Sequence, residues 1–254
     1  MAVFLFPGQG SQQVGMGRDL YEHYPEVRDL YDQAVEALGF DLRRISFEGP
    51  EEQLKETQLT QPALFVHSVA LNLLLGNLGV SPDATAGHSV GEYSAVVAAG
   101  ALDFIDALKV VKVRGELMSQ AGQMAPGAMA AILGATENQI QQICEDAAAA
   151  GVIVPANLNS PGQVVLSGHQ KAIDQAIKLA GEMGLRRAIK LNVSGAFHSP
   201  LMSSARQGLH VALDSVDIQD SKVPVYQNLT AKPERSAARI RENLLLQLEN
   251  PVRW

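Results

Sequence analysis

The spacing of apolar positions divides the chain into short strands and longer helices. Ala2 to Phe6 is a brief apolar run and reads as a buried strand. It ends in Pro7-Gly8-Gln9-Gly10-Ser11-Gln12, a tight polar loop of the kind that carries function beside the end of a core strand. Residues 18–56 read as polar helices on the surface. Pro62 is expected to open a helix, ALFVHSVALNLLLGNL, which is apolar nearly all round and therefore belongs in the core; His67 within it reads as a satisfied core histidine. A small-residue strand, Ala84 to Ala86, runs into Gly87-His88-Ser89-Val90-Gly91, and a helical run continues to Gly100, a C′ residue. The next helix has Asp103 as N-cap, Asp106 at N3 and an end near Gln120. Its Ala107, Val111, Arg114 and Met118 fall on one stripe, which places Arg114 on an apolar face.

From Pro126 the pattern shortens. Gly127 to Leu133 is a strand, and Thr136-Glu137-Asn138-Gln139 is a capping box opening a helix to Ala150. Val152 to Ala156 is a strand, Ser160-Pro161-Gly162 a turn, Val164 to Ser167 a strand, Lys171 to Met183 a helix and Ala188 to Val193 a strand. The order β-α-β-β-α-β is the ferredoxin-like split arrangement and reads as a small domain, residues 126–194, inserted into a larger one made of residues 1–123 and 199–254. Val223 to Gln227 is a further strand and Ser236 to Glu249 a helix. The large part thus offers three clear strands where a sheet commonly has five or six. The ending Asn250-Pro251-Val252-Arg253-Trp254 therefore reads as an interruption and the large domain as truncated at its C-terminal side.

Composition narrows the class. At 254 residues, 46% hydrophobic and 19% charged, the chain is a globular α/β protein with room for a sizeable core. A net charge of −7 argues against a nucleic-acid partner. The single cysteine, Cys144, excludes an internal disulfide framework and falls on a helical apolar stripe with Ile140 and Ile143, so it reads as a core thiol. Neither a signal peptide nor a membrane span is read in the chain, and the expectation is a soluble cytoplasmic protein without a membrane partner. The six histidines lack metal-ligand spacing, so no metal is expected.

The candidate chemistry centres on Ser89. Two glycines let the backbone turn sharply between strand and helix, which exposes the serine on a strained corner and frees the Val90 N–H to help hold an oxyanion. His198, in the loop Ser194-Gly195-Ala196-Phe197-His198-Ser199-Pro200, is the best partner for it. His67 lies in a core helix, His88 is adjacent to the nucleophile, and His23, His169 and His210 have polar surroundings. A guanidinium on an apolar stripe needs an anion. For Arg114 that is either an internal Asp or Glu or the carboxylate of a substrate, and the residues alone leave both open.

Together these segments resemble the malonyl-CoA:acyl carrier protein transacylases, a family also met as acyltransferase domains of polyketide and fatty acid synthases. The resemblance spans the whole chain through FPGQGSQ, TQPALF, GHSVGEYSA, VRGELM, GAMAAILG, NSPGQVVLSG and GAFHSPLM. It implies a hydrolase-like parallel-sheet large domain with an inserted ferredoxin-like small domain. It implies Ser89 as the acylated nucleophile, His198 as general base and then acid, and Gln247 as the residue whose backbone carbonyl accepts the histidine N–H. The N–H groups of Gln9 and Val90 resemble the oxyanion hole. Arg114 resembles the arginine that pairs the free malonyl carboxylate, and Asn157 resembles an active-site asparagine with Asn159 as a near neighbour. Phe197 is similar to the residue of malonyl-selective loops. Relatives usually continue past Asn-Pro-Val-Arg-Trp into a helix and a Gly-Pro-Gly strand–turn that this chain lacks.

The implied reaction moves malonyl from coenzyme A to Ser89 and then to the phosphopantetheine thiol of acyl carrier protein, with no cofactor of the chain's own and a monomeric enzyme. An acidic carrier protein needs a basic patch to dock on; Arg186, Arg187 and Lys190 are the candidate, against an ordinary solvated face. Two rivals remain at this level. An esterase or lipase predicts an acidic triad member between serine and histidine and no pocket arginine, and a truncated, inactive acyltransferase-like module predicts binding without turnover.

Overall fold

Two sheets organise the computed structural model, which describes residues 1–185 and 187–254. Among these the strands are β1 (Val3–Phe6), β2 (Ala84–Gly87), β3 (Gly127–Leu133), β4 (Ile153–Ser160), β5 (Gln163–His169), β6 (Arg187–Lys190), β7 (Val225–Gln227), β8 (Lys232–Glu234) and β9 (Val252–Arg253). The first sheet has the order β1-β2-β7-β8, with β1, β2 and β7 parallel and β8 antiparallel. The second has the order β6-β3-β5-β4-β9; its pairs are antiparallel except β4 with β9. The protein is thus a mixed α/β structure.

The main core lies on the helical side of the first sheet. Helix Thr57–Asn77 is long and apolar enough to cross a membrane by length and composition, yet it packs against helix Phe104–Met124 and buries Ala63, Leu64, Phe65, Val66 and Val69 in this core. It starts five residues before Pro62. The missing Pro62 N–H costs one bond to the Gln58 carbonyl. At that turn the other helix comes close enough that a Cβ on Gly115 would stand 3.0 Å from Gln58 Cα. The second sheet obeys period two. Ala128, Ala130 and Ile132 of β3, with Val164 and Leu166 of β5, face a small core under helices Glu137–Ala147 and Gln170–Glu182, whereas Met129 and Val165 face the main core.

Several expectations need correction. β1 is an edge strand with Val3 45% and Leu5 62% exposed, and only Phe6 is buried. An apolar run does not reveal which of its faces has a neighbour. Residues 18–56 are helical, but the helix Pro25–Leu38 is amphipathic and sinks Val27, Tyr31, Ala34 and Leu38 into the core. His67 is not satisfied, since its Nδ1 lacks a hydrogen-bond partner. The helix Ser203–Asp214 and strands β8 and β9 were not foreseen. β9 is the consequential one, because it ties the two sheets together. Its register pairs Val252 with Asn157, Trp254 N–H donates to Leu158 O (3.1 Å), and Arg253 N–H donates to Asn228 O (3.0 Å) beyond β7.

Candidate active site

The end of β2 and the helix Gly91–Ala98 are joined by a corner that only glycines allow. A Cβ on Gly87 would overlap the Gly91 carbonyl, and one on Gly91 would overlap the Phe6 carbonyl. Ser89 between them sits at φ 53°, a left-handed conformation that serine rarely adopts. His198 arrives from the loop after the second sheet and is also left-handed, at φ 56°. Among the described residues only one other non-glycine, Ala231, shares that sign. Strain of this kind persists only where the surroundings enforce it.

The two side chains meet. Ser89 Oγ lies 2.8 Å from His198 Nε2, and His198 Nδ1 lies 2.8 Å from the backbone oxygen of Gln247. Since a carbonyl only accepts, Nδ1 carries the proton and Nε2 is left to accept one from Ser89. Arg114 is 1% exposed, and its Nη2 donates to Ser89 Oγ (3.0 Å) and to Gln247 Oε1 (2.9 Å). Its Nη1 donates to Gln61 Oε1 (2.6 Å), its face covers the Tyr93 ring at 5.6 Å, and its Nε has no partner. No carboxylate forms an ion pair with this guanidinium among the described residues. In front of Ser89 is a cavity of about 260 Å³ whose walls include Gln9, Met118, Met129, Asn157, Phe197 and His198. The N–H groups of Gln9 and Val90 donate to no backbone or side chain among the described residues.

Residues 3–254 match the acyl transferase domain family. The chain belongs to it. It is 48% identical over 253 residues to the malonyl CoA-acyl carrier protein transacylase of Bacillus subtilis, covering 99% of this chain and 80% of that one. It is 44% identical to the Escherichia coli protein of the same name, covering 82% of it. The solved malonyl CoA-acyl carrier protein transacylase of Coxiella burnetii superposes with a TM-score of 0.96 at 44% identity, covering 99% of this chain and 80% of that one. A malonyl-transacylase in complex with its type II PKS acyl-carrier protein gives 0.95 at 42%, covering 99% and 82%.

The electrostatics of this acyl transferase site follow from the burial of His198, Glu92 and Arg114. Burial first, and then the Arg114 cation, push the His198 pKa down to about 3, so the imidazole is neutral at physiological pH. Beneath the corner, Glu92 is fully buried and its pKa is pushed up to about 7 by desolvation, against the lowering effect of hydrogen bonds from Gln247 and Asn228. Burial likewise lowers the pKa of Arg114.

Both asparagines line the cavity: Asn157 is buried in its wall, and Asn159 Oδ1 accepts from His88 Nε2 (2.9 Å). Of the basic patch, Arg186 lies outside the described residues. Arg187 is exposed on β6, and Lys190 finds a partner in Asp174 at 2.8 Å. Sequence reasoning did not find Glu92, Asn228, Thr57 or Ser194. The last two link Gln9 to the His198 loop through Gln9 Nε2–Thr57 Oγ1 (3.2 Å) and Thr57 Oγ1–Ser194 Oγ (3.0 Å). A signal existed only for Glu92, an acid in an otherwise apolar helix start.

Proposed function

We propose that this acyl transferase carries malonyl from coenzyme A to the phosphopantetheine thiol of an acyl carrier protein through a malonyl ester on Ser89. His198 Nε2 takes the Ser89 proton as Oγ attacks the thioester carbonyl, and the oxyanion is held by the N–H groups of Gln9 and Val90. The tetrahedral intermediate collapses, the C–S bond breaks, and coenzyme A departs with the proton from His198. In the second half His198 deprotonates the carrier thiol, which attacks the ester; the ester C–O bond breaks and His198 returns the proton to Ser89 Oγ. Gln247 orients the imidazole through its carbonyl, a part that a carboxylate plays in serine proteases.

Arg114 carries this reading. A fully buried guanidinium with neutral oxygen partners and an idle Nε, next to the nucleophile, lacks the anion its burial calls for. The free carboxylate of malonyl supplies it, and an acetyl group does not. Asn157 lines the acyl pocket in this reading, and Phe197 limits its size. The fold is read as a hydrolase-like parallel-sheet domain (residues 1–123 and 199–254) with an inserted ferredoxin-like domain (residues 126–194). The enzyme is taken to be cytoplasmic and monomeric, with no cofactor of its own. Arg187, with Arg186, remains the candidate contact for the acidic carrier.

The test is intact-mass spectrometry after mixing with malonyl-CoA or acetyl-CoA. One malonyl adduct is expected on the parent and none on Ser89→Ala. Arg114→Ala should acylate with malonyl on the order of 10²–10³-fold more slowly, since one partner of a buried charged pair is removed. Equal labelling of the parent by acetyl-CoA and malonyl-CoA would overturn the role of Arg114.

A further inference from the structure

Beneath the Ser89 corner lies a second set of buried polar groups, Asn228, Glu92 and Gln247, none of which lines the cavity. Asn228, 2% exposed and one residue beyond β7, grips the corner from both sides. Its Oδ1 accepts from Ser89 N–H (2.7 Å) and its Nδ2 donates to Gly87 O (2.6 Å). These peptide groups flank His88, at the point where the chain leaves β2 and Ser89 turns left-handed. The Asn228 backbone N–H donates to Glu92 Oε2 (3.2 Å), which also accepts from Gln247 Nε2 (2.6 Å). Gln247 Nε2 lies 3.1 Å from Ser89 O and 3.3 Å from Asn228 Oδ1 as well. With Nε2 so engaged, Gln247 Oε1 is turned toward Arg114, and its backbone oxygen is held on His198.

We infer that Asn228 is a positioning residue of the acyl transfer reaction: its carboxamide clamps the two peptide groups around His88 and so holds Ser89 in the conformation that aims Oγ at His198. The inference rests on Ser89 being the acylated group. An asparagine suits the task because one planar side chain presents a donor and an acceptor at the spacing of the two peptide groups. It acts through the backbone and touches no substrate, so its loss should slow chemistry and leave substrate binding alone. The residues that orient metal ligands tune their sites by about tenfold to a hundredfold, and an effect of that order is expected for a residue that orients a nucleophile.

The experiment measures single-turnover acylation by malonyl-CoA, followed by intact mass across substrate concentrations, for the parent, Asn228→Ala and Asn228→Asp. Asn228→Ala removes both bonds to the corner and the contact with Gln247 Nε2, and Asn228→Asp keeps the acceptor for Ser89 N–H but sets an oxygen against Gly87 O. The expected result is a maximal acylation rate down by about 10²-fold in the alanine variant and about tenfold in the aspartate variant. Half-saturation should stay within threefold of the parent. A single-turnover rate constant describes only molecules that react, so partial unfolding does not imitate the effect. If Asn228→Ala is insoluble, Asn228→Asp alone decides. As a control, Gln227→Leu alters the adjacent buried side chain, whose polar atoms have no partner, and should leave the rate unchanged. Rates within threefold of the parent in the soluble Asn228 variants, or a raised half-saturation with an unchanged maximal rate, would overturn the clamp. A parent that forms no adduct on Ser89 would instead overturn the acyl-serine reading, and the clamp with it.

Discussion

Ser89 and His198 are held in left-handed backbone conformations, at φ 53° and 56°, and face each other across 2.8 Å. Each is costly for an L-residue with a Cβ, on the order of 1–3 kcal/mol. Close approach of backbone to backbone at the flanking glycines enforces the first together with the Asn228 bonds. Gly91 lies against the Phe6 and Pro7 carbonyls, so the Gly91→Ala substitution has no room to relax without moving β1 or the corner. It should destabilise the fold by about 1–3 kcal/mol or more, read as a lower midpoint in urea denaturation. An unchanged midpoint would mean that the corner is more adaptable than its packing shows. Gly-X-Ser-X-Gly was legible because the steric need for those glycines is local.

At the scale of elements, the site is assembled by helix Phe104–Met124, which brings Arg114 inward and also supports the His198 loop. Two of its glycines allow close backbone approach, Gly115 against Thr57–Gln58 and Gly122 against Ser194–Gly195. Alanine suits a helix interior better than glycine by about 1 kcal/mol, so Gly122→Ala should leave the helix intact. Its methyl group would displace the Ser194 carbonyl and, with it, the loop that carries His198. Acylation should fall by tenfold or more, since misplacement of about 1 Å can cost 10²-fold. Stopped-flow mixing with malonyl-CoA, alongside circular dichroism to confirm helix content, checks this. The helix itself was readable from its Asp103 cap and its apolar stripe, and the cap is seen in the Asp103 bond to Ile105 N–H (2.8 Å). The contact at Gly122 was not, because nothing in a helical period says which loop will lie across it.

Across the whole molecule, two buried titratable groups give opposite pH responses. Glu92 has its pKa raised from 4.5 to about 7, so its contribution is fully present below about pH 4.5 and is lost as pH rises through about 7. His198 has its pKa lowered from 6.5 to about 3, so its neutral form is matched to the fold above about pH 6.5 and stability is lost on acidification toward 3. Glu92→Gln removes the first response only. The unfolding free energy of this variant relative to the parent should therefore increase between pH 5 and pH 8. A difference that stays constant over that range would show that Glu92 does not change its protonation there. The amino-acid sequence by itself determined the β-α-β-β-α-β order of residues 126–194, the glycine corner at Ser89 and the apolar stripe holding Arg114. These are local patterns, set by backbone sterics and by the partition of side chains between water and core. It also carried the family resemblance that pointed to His198 and Gln247. Only the tertiary structure decided that β1 is an exposed edge, that β9 joins the two sheets beside Asn157, and that Lys190 pairs with Asp174. It alone brought Asn228 and Glu92 beneath the nucleophile, 139 and 3 positions away in the chain. Hydrogen bonds between distant segments depend on how the chain closes on itself, and no periodicity along the chain encodes that closure.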